Sequence, residues 1–214
     1  ELVADAEHPF ESHGIELTPR YNVAPTQAVA TVRQADDGSR HLGLLRWGLI
    51  PGWAKDPSIG NRMINARSET AAEKPSFRTA MKRRRCLVLA DGFYEWRKVS
   101  DGKQPYHIHL RGRRPFAFAG LWERWAKGPE GPLDSCTILT TRPADSIAHL
   151  HDRMPVILRR DDVDLWLDGS IRDPEVLEHL LAPYDGEAMA FGAVSRRVNS
   201  PRNDDADCLQ AVEI

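Results

Sequence analysis

The sequence predicts an α+β fold, a single domain with an antiparallel, barrel-like β-sheet core and a few peripheral helices. Many short segments rich in strand-forming residues are separated by turn signals, and the few helical segments are set apart from them. Regular alternation of strands and helices, which is typical of a parallel sheet, is not found. The 214 residues, 41% hydrophobic and 28% charged, suit one domain over residues 1–214, or at most two small ones.

The expected strands follow apolar or alternating runs that are bounded by glycine, proline and short polar residues. A hairpin comes first, with one strand at 28–33, a turn at 36–39 and the partner strand within 40–53. Further strands are expected at 86–90, 104–112, 115–125 and 134–144, at the end of 145–158, and at 188–195 and 209–214. Strands of this number and length are sufficient for a barrel-like sheet.

The expected helices are marked by capping residues and by breaks at proline or glycine. Ser68 is expected to cap a helix that carries Glu69 in its first turn and ends before Pro75. Another helix has Asp173 as its cap and Pro174 in its first position. The expected helices lie at 68–74, 76–84, 160–169 and 173–183.

Charge, hydropathy and cysteine content exclude several classes of protein. The net charge of −2 argues against a globally basic nucleic-acid binder. Basic clusters at 81–85, 111–115 and 195–202 could still line a phosphate-binding face, or they could be solvated turns. No apolar run is long enough to span a bilayer, so we expect no membrane association. Three widely spaced cysteines indicate a reducing compartment, and Cys86 and Cys136 are expected to be buried and unreactive.

Glu95 stands between two large aromatic residues, Tyr94 and Trp96, just after an apolar strand. Side chains alternate along a strand, so Phe93 and Glu95 share one face. Carboxylates avoid apolar surroundings unless they are paired or chemically needed. Two interpretations are open from the strand pattern alone. Glu95 is either a solvent-facing residue of a half-exposed strand or a general acid or base whose pKa is raised by its neighbours.

Two groups of histidines are candidates for a function, and their surroundings differ. His107 and His109 share one strand face, but the sequence supplies no further zinc ligands nearby, so we expect no metal and no cofactor. His151 lies at a loop-to-strand junction, where functional groups are common. Asp152 could orient it, and Arg153 could hold an anion. The alternative is a loop whose charges neutralise one another.

Two more segments contain residues suited to binding nucleic acid. Asn65 and Arg67 are expected at the start of a helix, where such donors make a site for an anion. Trp47 lies next to a basic residue and a glycine- and proline-rich turn. A Trp in such a place suits stacking on an unpaired base, although Trp is more often part of a core.

Several motifs in a fixed order carry a resemblance to a known family. They run from Arg20 to the C-terminal half of the chain as RYNVAPTQ, RWGLIPGW, INARSET, ADGFYEW and HDRMPVIL. Together they resemble the SRAP family, whose members crosslink themselves to abasic sites in single-stranded DNA. The family's nucleophile is a cysteine directly after the initiator Met, in a Met-Cys-Gly-Arg opening that the printed sequence, which begins at Glu1, does not include. After removal of the Met, the amine and thiol of that cysteine close a thiazolidine ring on the sugar aldehyde.

The resemblance implies roles for particular residues of this chain. Glu95 would orient the amine, shuttle its proton and assist the removal of Met. His151 would protonate the sugar ring oxygen so that the aldehyde opens, and Asn65 would hydrogen-bond the opened sugar or the N-terminal residue. Arg67 and Arg153 would hold the phosphates that flank the lesion. The other residues of the predicted DNA cleft are Asn22, Pro25, Trp47, Trp96 and, beside it, Thr140.

The implied partner is single-stranded DNA that carries abasic sites. The implied activity is that of a self-crosslinking, lyase-like protein of the DNA damage response that also has autopeptidase activity. A monomer is expected, in the cytoplasm and associated with the nucleoid. Other functions stay open: a single-strand-binding module without a covalent step, a conventional peptidase or hydrolase that uses Glu95 and His151, and a reader of modified bases.

Overall fold

A closed barrel of five strands forms the centre of the fold and confirms the predicted α+β class. The computed structural model describes residues 10–11 and 14–214. The strands are β1 (Phe10–Glu11), β2 (Ala28–Gln34), β3 (Arg40–Trp47), β4 (Asn65–Arg67), β5 (Arg85–Ala90), β6 (Phe93–Val99), β7 (Gly102–Leu110), β8 (Phe116–Trp125), β9 (Leu133–Thr141), β10 (Met154–Pro155), β11 (Ile157–Leu158) and β12 (Met189–Ala193).

The barrel closes through one parallel pair among antiparallel neighbours. β2 pairs antiparallel with β3 and β5, and β8 pairs antiparallel with β5 and β9. The ring closes where β9 runs parallel to β3, with Trp47 opposite Cys136. The barrel-like prediction is therefore confirmed, whereas the expectation of an antiparallel sheet is corrected to a mixed one. β1 extends β3, β11 pairs with β8, and β4 and β10 pair with β9.

A second, three-stranded antiparallel sheet lies against the barrel and carries Glu95. Its order is β12-β7-β6. The Phe93 ring meets the Phe118 ring of the barrel edge-on, with 5.8 Å between their centroids. Tyr94 and Trp96 pack instead against a small apolar cluster formed by the C-terminal segment 194–208. The predicted alternation along β6 is therefore confirmed, and Glu95 lies on the face that Phe93 turns to the barrel.

Buried side chains connect the helices to the barrel through hydrogen bonds to backbone carbonyls. Trp166 is fully buried, and its Nε1 donates to the carbonyl of Cys86 at 3.0 Å. Arg85 is buried as well, and its guanidinium donates to the carbonyls of Met81, Trp166 and Asp168. Burial raises the pKa of the Cys86 thiol, and it raises the pKa of Cys136 to about 12. Both are free thiols, and their expected burial is confirmed.

The helices are short and mostly of the 3₁₀ type. The α-helices are α1 (Ser68–Ala71), α2 (Arg78–Arg83) and α3 (Val163–Leu167). The 3₁₀ helices are Pro57–Arg62, Arg111–Arg113, Arg160–Asp162, Pro174–Leu181, Gly186–Ala188, Arg196–Asn199 and Ala206–Leu209. The Asp173 cap is confirmed, since its carboxylate accepts from the Glu175 amide at 3.0 Å. No helix in the described ranges is long and apolar enough to cross a membrane.

Three local expectations are wrong. Ser68 does not cap α1, because it is already the first helical residue and Arg67 occupies the cap without a side-chain bond. Asn65 lies in a strand rather than at a helix start, since β4 pairs with β9, whereas Arg67 is both the last residue of β4 and the N-terminal cap of α1. Residues 209–214 form no closing strand, and an isolated bridge from Ala211 to Val194 is the only pairing described there.

Candidate nucleic-acid interface and reactive site

The C-terminal end of β9 brings distant parts of the chain together. β4 runs parallel to it, which places Arg67 opposite Thr140, and β10 runs antiparallel on the other side, which places Pro155 opposite Thr140. Asn65 and Arg67 are exposed whereas the residue between them is buried, so both side chains share one solvent-facing side of β4. Thr140 is buried between the flanking strands.

Arg153, which comes directly before β10, is held by an ion pair from α1. Its Nη1 and Nη2 donate to the Oε1 and Oε2 atoms of Glu69 at 2.7 and 2.8 Å. Nη2 also donates to the carbonyl oxygen of Thr140 at 2.5 Å. The guanidinium holds the pKa of the Glu69 carboxyl below its usual range. Arg153 is thus a fixed group, in contrast to the exposed Arg67.

The His151 ring is partly exposed and contacts its own loop through Nδ1. Its Nδ1 accepts from the backbone N–H of Arg153 at 3.1 Å and lies 3.2 Å from the Oδ1 of Asp152. The side chain is 45% exposed, so a bound molecule can reach it. The expected orienting contact from Asp152 is present, and the Arg153 amide supplies a second one.

Glu95 is partly buried, and its electrostatic partners lie in the His151 loop. Burial raises the pKa of the Glu95 carboxyl, the attraction of His151 and the backbone amide of Trp96 lower it, and repulsion by Asp152 raises it. Burial has the largest effect, so the net pKa is raised. This position disagrees with a solvent-facing strand residue and agrees with an acid or base near a histidine.

Pro25 and Trp47 lie together at a turn next to the barrel. The Thr26 amide donates to the carbonyl of Trp47 at 2.8 Å, and Pro25 is exposed beside it. The Trp47 ring is half-buried, and its Nε1 donates to the carbonyl of Ile64 at 2.8 Å, directly before Asn65. Thr26 has a φ of 76°, which is costly for a β-branched residue, so the turn is held in a strained conformation.

Asn22 and Trp96 contact the C-terminal segment. Asn22 is buried, and its amide nitrogen donates to the carbonyls of Val198, Ser200 and Asn203 at 2.9, 3.0 and 2.9 Å. The Trp96 Nε1 donates to the Oδ1 of Asn199 at 2.8 Å, and the ring remains partly exposed. The donors of Asn22 are therefore used inside the protein, and its contact with DNA stays a prediction.

Two further residues were not predicted from the sequence. Trp53 is 58% exposed and lies in a depression with Lys55, Asp56 and Arg62, and an exposed Trp can stack on an unpaired base. Trp53 could have been found from the sequence, because it is the second Trp of the RWGLIPGW motif. Glu69 was seen only as a first-turn residue of a helix, because nothing local indicates its ion pair with Arg153.

The His107 and His109 side chains pack against each other and against Tyr94. The two rings stack with centroids 5.4 Å apart, and Tyr94 lies 5.3 Å from His107. Burial, followed by the charge of His109, lowers the pKa of His107 to about 4. Within the described ranges, no group of three or more His, Cys, Asp or Glu side chains is placed to hold a metal ion.

Comparisons with known proteins agree over nearly the whole chain. The family model of the SOS response associated peptidase (SRAP) matches residues 2–201. The abasic site processing protein YoqW of Bacillus subtilis (strain 168) is 49% identical over 199 residues, which cover 92% of this chain and 88% of YoqW. The abasic site processing protein HMCES of Gallus gallus is 36% identical over 228 residues, 92% of this chain and 67% of HMCES.

A solved structure supports the fold. The crystal structure of a protein from Bacteroides thetaiotaomicron superposes with a TM-score of 0.75 at 29% identity. The match covers 91% of this chain and 82% of that one. The overall fold of this chain is therefore shared with a protein whose structure has been solved.

Proposed function

Since the chain belongs to the SRAP family, we propose that it processes abasic sites in single-stranded DNA by linking itself covalently to them. The names of its relatives support the abasic site as the target. The observation that carries the proposal is the pairing of a partly buried Glu95 with a solvent-accessible His151. Such a pair supplies a proton donor and a proton acceptor that lie close enough to influence each other.

The proposed chemistry needs an N-terminal cysteine, which the family has in its Met-Cys-Gly-Arg opening. His151 gives a proton to the ring oxygen of the abasic sugar, and the ring opens to an aldehyde. The cysteine amine, whose pKa of about 7.7–8 leaves it partly unprotonated at neutral pH, attacks the aldehyde carbon. Loss of one water gives an imine, and the thiol S–H then adds across the C=N bond to close the thiazolidine.

Glu95 acts as the proton shuttle for the amine. Because burial raises its pKa, its carboxyl group exchanges a proton closer to neutral pH than an exposed carboxyl does. The same group serves as the base in the self-cleavage that removes Met. Asn65 is exposed on β4 and donates to the hydroxyl groups of the opened sugar.

The contacts to DNA are divided between charge and stacking. Arg67 is exposed beside Asn65 and binds a phosphate next to the lesion. Bases stack on the exposed aromatic groups around the site, and Pro25 fills the space between them. One chain supplies all of these groups, which supports action as a monomer at chromosomal DNA.

Denaturing gels test the covalent step directly. The chain is prepared with a processed Cys-Gly-Arg opening ahead of residue 1 and mixed with single-stranded DNA that carries one abasic site. A variant with Ala in place of that cysteine and a Glu95→Gln variant are run beside it. We expect a slow-migrating species that survives denaturant, disappears with the Ala variant and forms more slowly with Glu95→Gln. DNA that is retained in native gels but never linked would favour a non-covalent binding module instead.

A further inference from the structure

We propose that Glu69 is a positioning residue that fixes the His151 ring through Arg153. This role rests on the proposed function, because it concerns the proton that His151 delivers. Glu69 touches no reacting atom in the proposed chemistry. It acts across 84 positions of sequence, from the first turn of α1 to the loop before β10.

The first step is the immobilisation of the Arg153 side chain. The two carboxylate oxygens of Glu69 accept hydrogen bonds from the two Nη atoms of Arg153. The Thr140 carbonyl accepts a hydrogen bond from the second N–H of Nη2. Three of the five N–H groups of the guanidinium are therefore used within the protein. The side chain is only 22% exposed, and its Nε is buried among described residues that offer it no acceptor. A bidentate pair of this kind fixes the plane of the guanidinium as well as its position.

The second step runs from the Arg153 side chain to its own backbone. The Arg153 N–H donates to His151 Nδ1 at 3.1 Å, and this contact needs a lone pair on Nδ1. Asp152 Oδ1 and the Arg153 carbonyl both lie 3.2 Å from the same atom, and each of these oxygens would instead favour a proton there. The Arg153 backbone therefore contacts the ring in both of its charge states: its N–H donates to Nδ1 of the neutral ring, and its carbonyl, like Asp152, accepts from Nδ1–H of the protonated ring that delivers the proton.

The charges around Glu69 support one of two possible roles of Arg153. They favour a role in which Arg153 anchors the His151 loop over one in which it mainly binds a phosphate. The carboxylate neutralises the Arg153 guanidinium, and Arg67 is the other cation that acts on Glu69. Arg67 is exposed and keeps its charge available to DNA. If Arg153 were chiefly a phosphate contact, removal of the Glu69 charge would release it and tighten DNA binding.

Kinetics separate these roles. Glu69→Gln is compared with Glu73→Gln, an exposed Glu four positions later that serves as the matched control. We expect crosslinking by Glu69→Gln to slow by roughly ten- to a hundredfold, the effect of displacing a catalytic group, and its rate–pH profile to shift. The dependence of the crosslinking rate on pH also reflects Glu95 and Asp152. Neither residue is changed in the two variants. Affinity for DNA should change less than about twofold. Faster crosslinking or tighter binding by Glu69→Gln would overturn the proposal.

A second measurement needs no DNA and no crosslink. In ¹⁵N-labelled protein, the His151 ring nitrogens report which atom carries the proton. The unmodified protein and Glu73→Gln should give the same His151 ring signals, whereas in Glu69→Gln the Nδ1 signal should shift, because the Arg153 backbone no longer holds that atom in place. Identical His151 spectra in all three proteins would refute the positioning role. A protein that shows this shift but never crosslinks would refute the proposed function alone.

Discussion

Replacing Asn22 with Ala should destabilise the protein strongly, because this side chain connects the N-terminal part of the chain to its C-terminal segment. The two hydrogens of the amide nitrogen are shared by the carbonyls of Val198, Ser200 and Asn203. The variant loses about two net hydrogen bonds and leaves the buried carbonyl of Val198 unpaired. At about 1 kcal/mol for each bond and 1 kcal/mol or more for the buried acceptor, the loss is about 3 kcal/mol. For a chain of this length, Tm should fall by about 6–12 °C.

Thermal unfolding followed by circular dichroism measures this effect. Asn61→Ala is the control, because Asn61 is exposed and accepts a single bond from Arg46. Its free energy of unfolding should change by about 0.5 kcal/mol or less. An Asn22→Ala protein that unfolds within about 2 °C of the unmodified chain would refute the structural role. If that stable variant also lost affinity for single-stranded DNA, the predicted DNA contact of Asn22 would be supported instead.

Three further substitutions test the site and its surroundings. Arg67→Gln should weaken single-strand binding at every sequence and reduce the slope of log affinity against log salt by about 0.7, and an unchanged slope in a salt titration would exclude the phosphate contact. Burial raises the pKa of Glu95 above its ordinary 4.5, so its stabilising contribution is complete below that value and is lost as pH rises through the folded pKa. As pH rises above 4.5, the Tm of the unmodified protein should therefore fall relative to that of Glu95→Gln, and parallel curves would contradict the raised pKa. Gly92→Ala would place a Cβ 2.0 Å from Nε2 of His107 and should cost about 1–3 kcal/mol, so an unchanged denaturation midpoint would show that the ring moves aside freely.

Local patterns predicted the strands and the face of Glu95, because alternation and turn residues act over a few neighbouring positions. The parallel closure of β3 on β9 could not be predicted, since register between distant strands has no local signal. Asn65 was expected at a helix start, but its pairing with β9 extends a strand up to the cap of α1 at Arg67. Residues 209–214 have strand-like composition, yet the structure offers them a single bridge to Val194.

In the candidate site as well, local sequence patterns predicted the residue types, whereas contacts between distant residues could not be predicted. The motifs predicted which residue types gather, and β4, β9 and β10 do bring Asn65, Arg67 and Thr140 together. The carboxylate that neutralises Arg153 was not predicted, because an ion pair across 84 positions leaves no pattern in the sequence. The ion pair holds Arg153 in place in the absence of DNA, and its contact with a phosphate stays a prediction.

Intact-mass spectrometry of the crosslinking reaction tests the central claim most directly. The chain with a processed N-terminal cysteine is incubated with a single-stranded oligonucleotide that carries one abasic site. The account predicts a species whose mass is the sum of protein and oligonucleotide less one water, and the Ala variant of that cysteine should not form it. No such species, or the same species in equal yield from the Ala variant, would contradict the covalent mechanism.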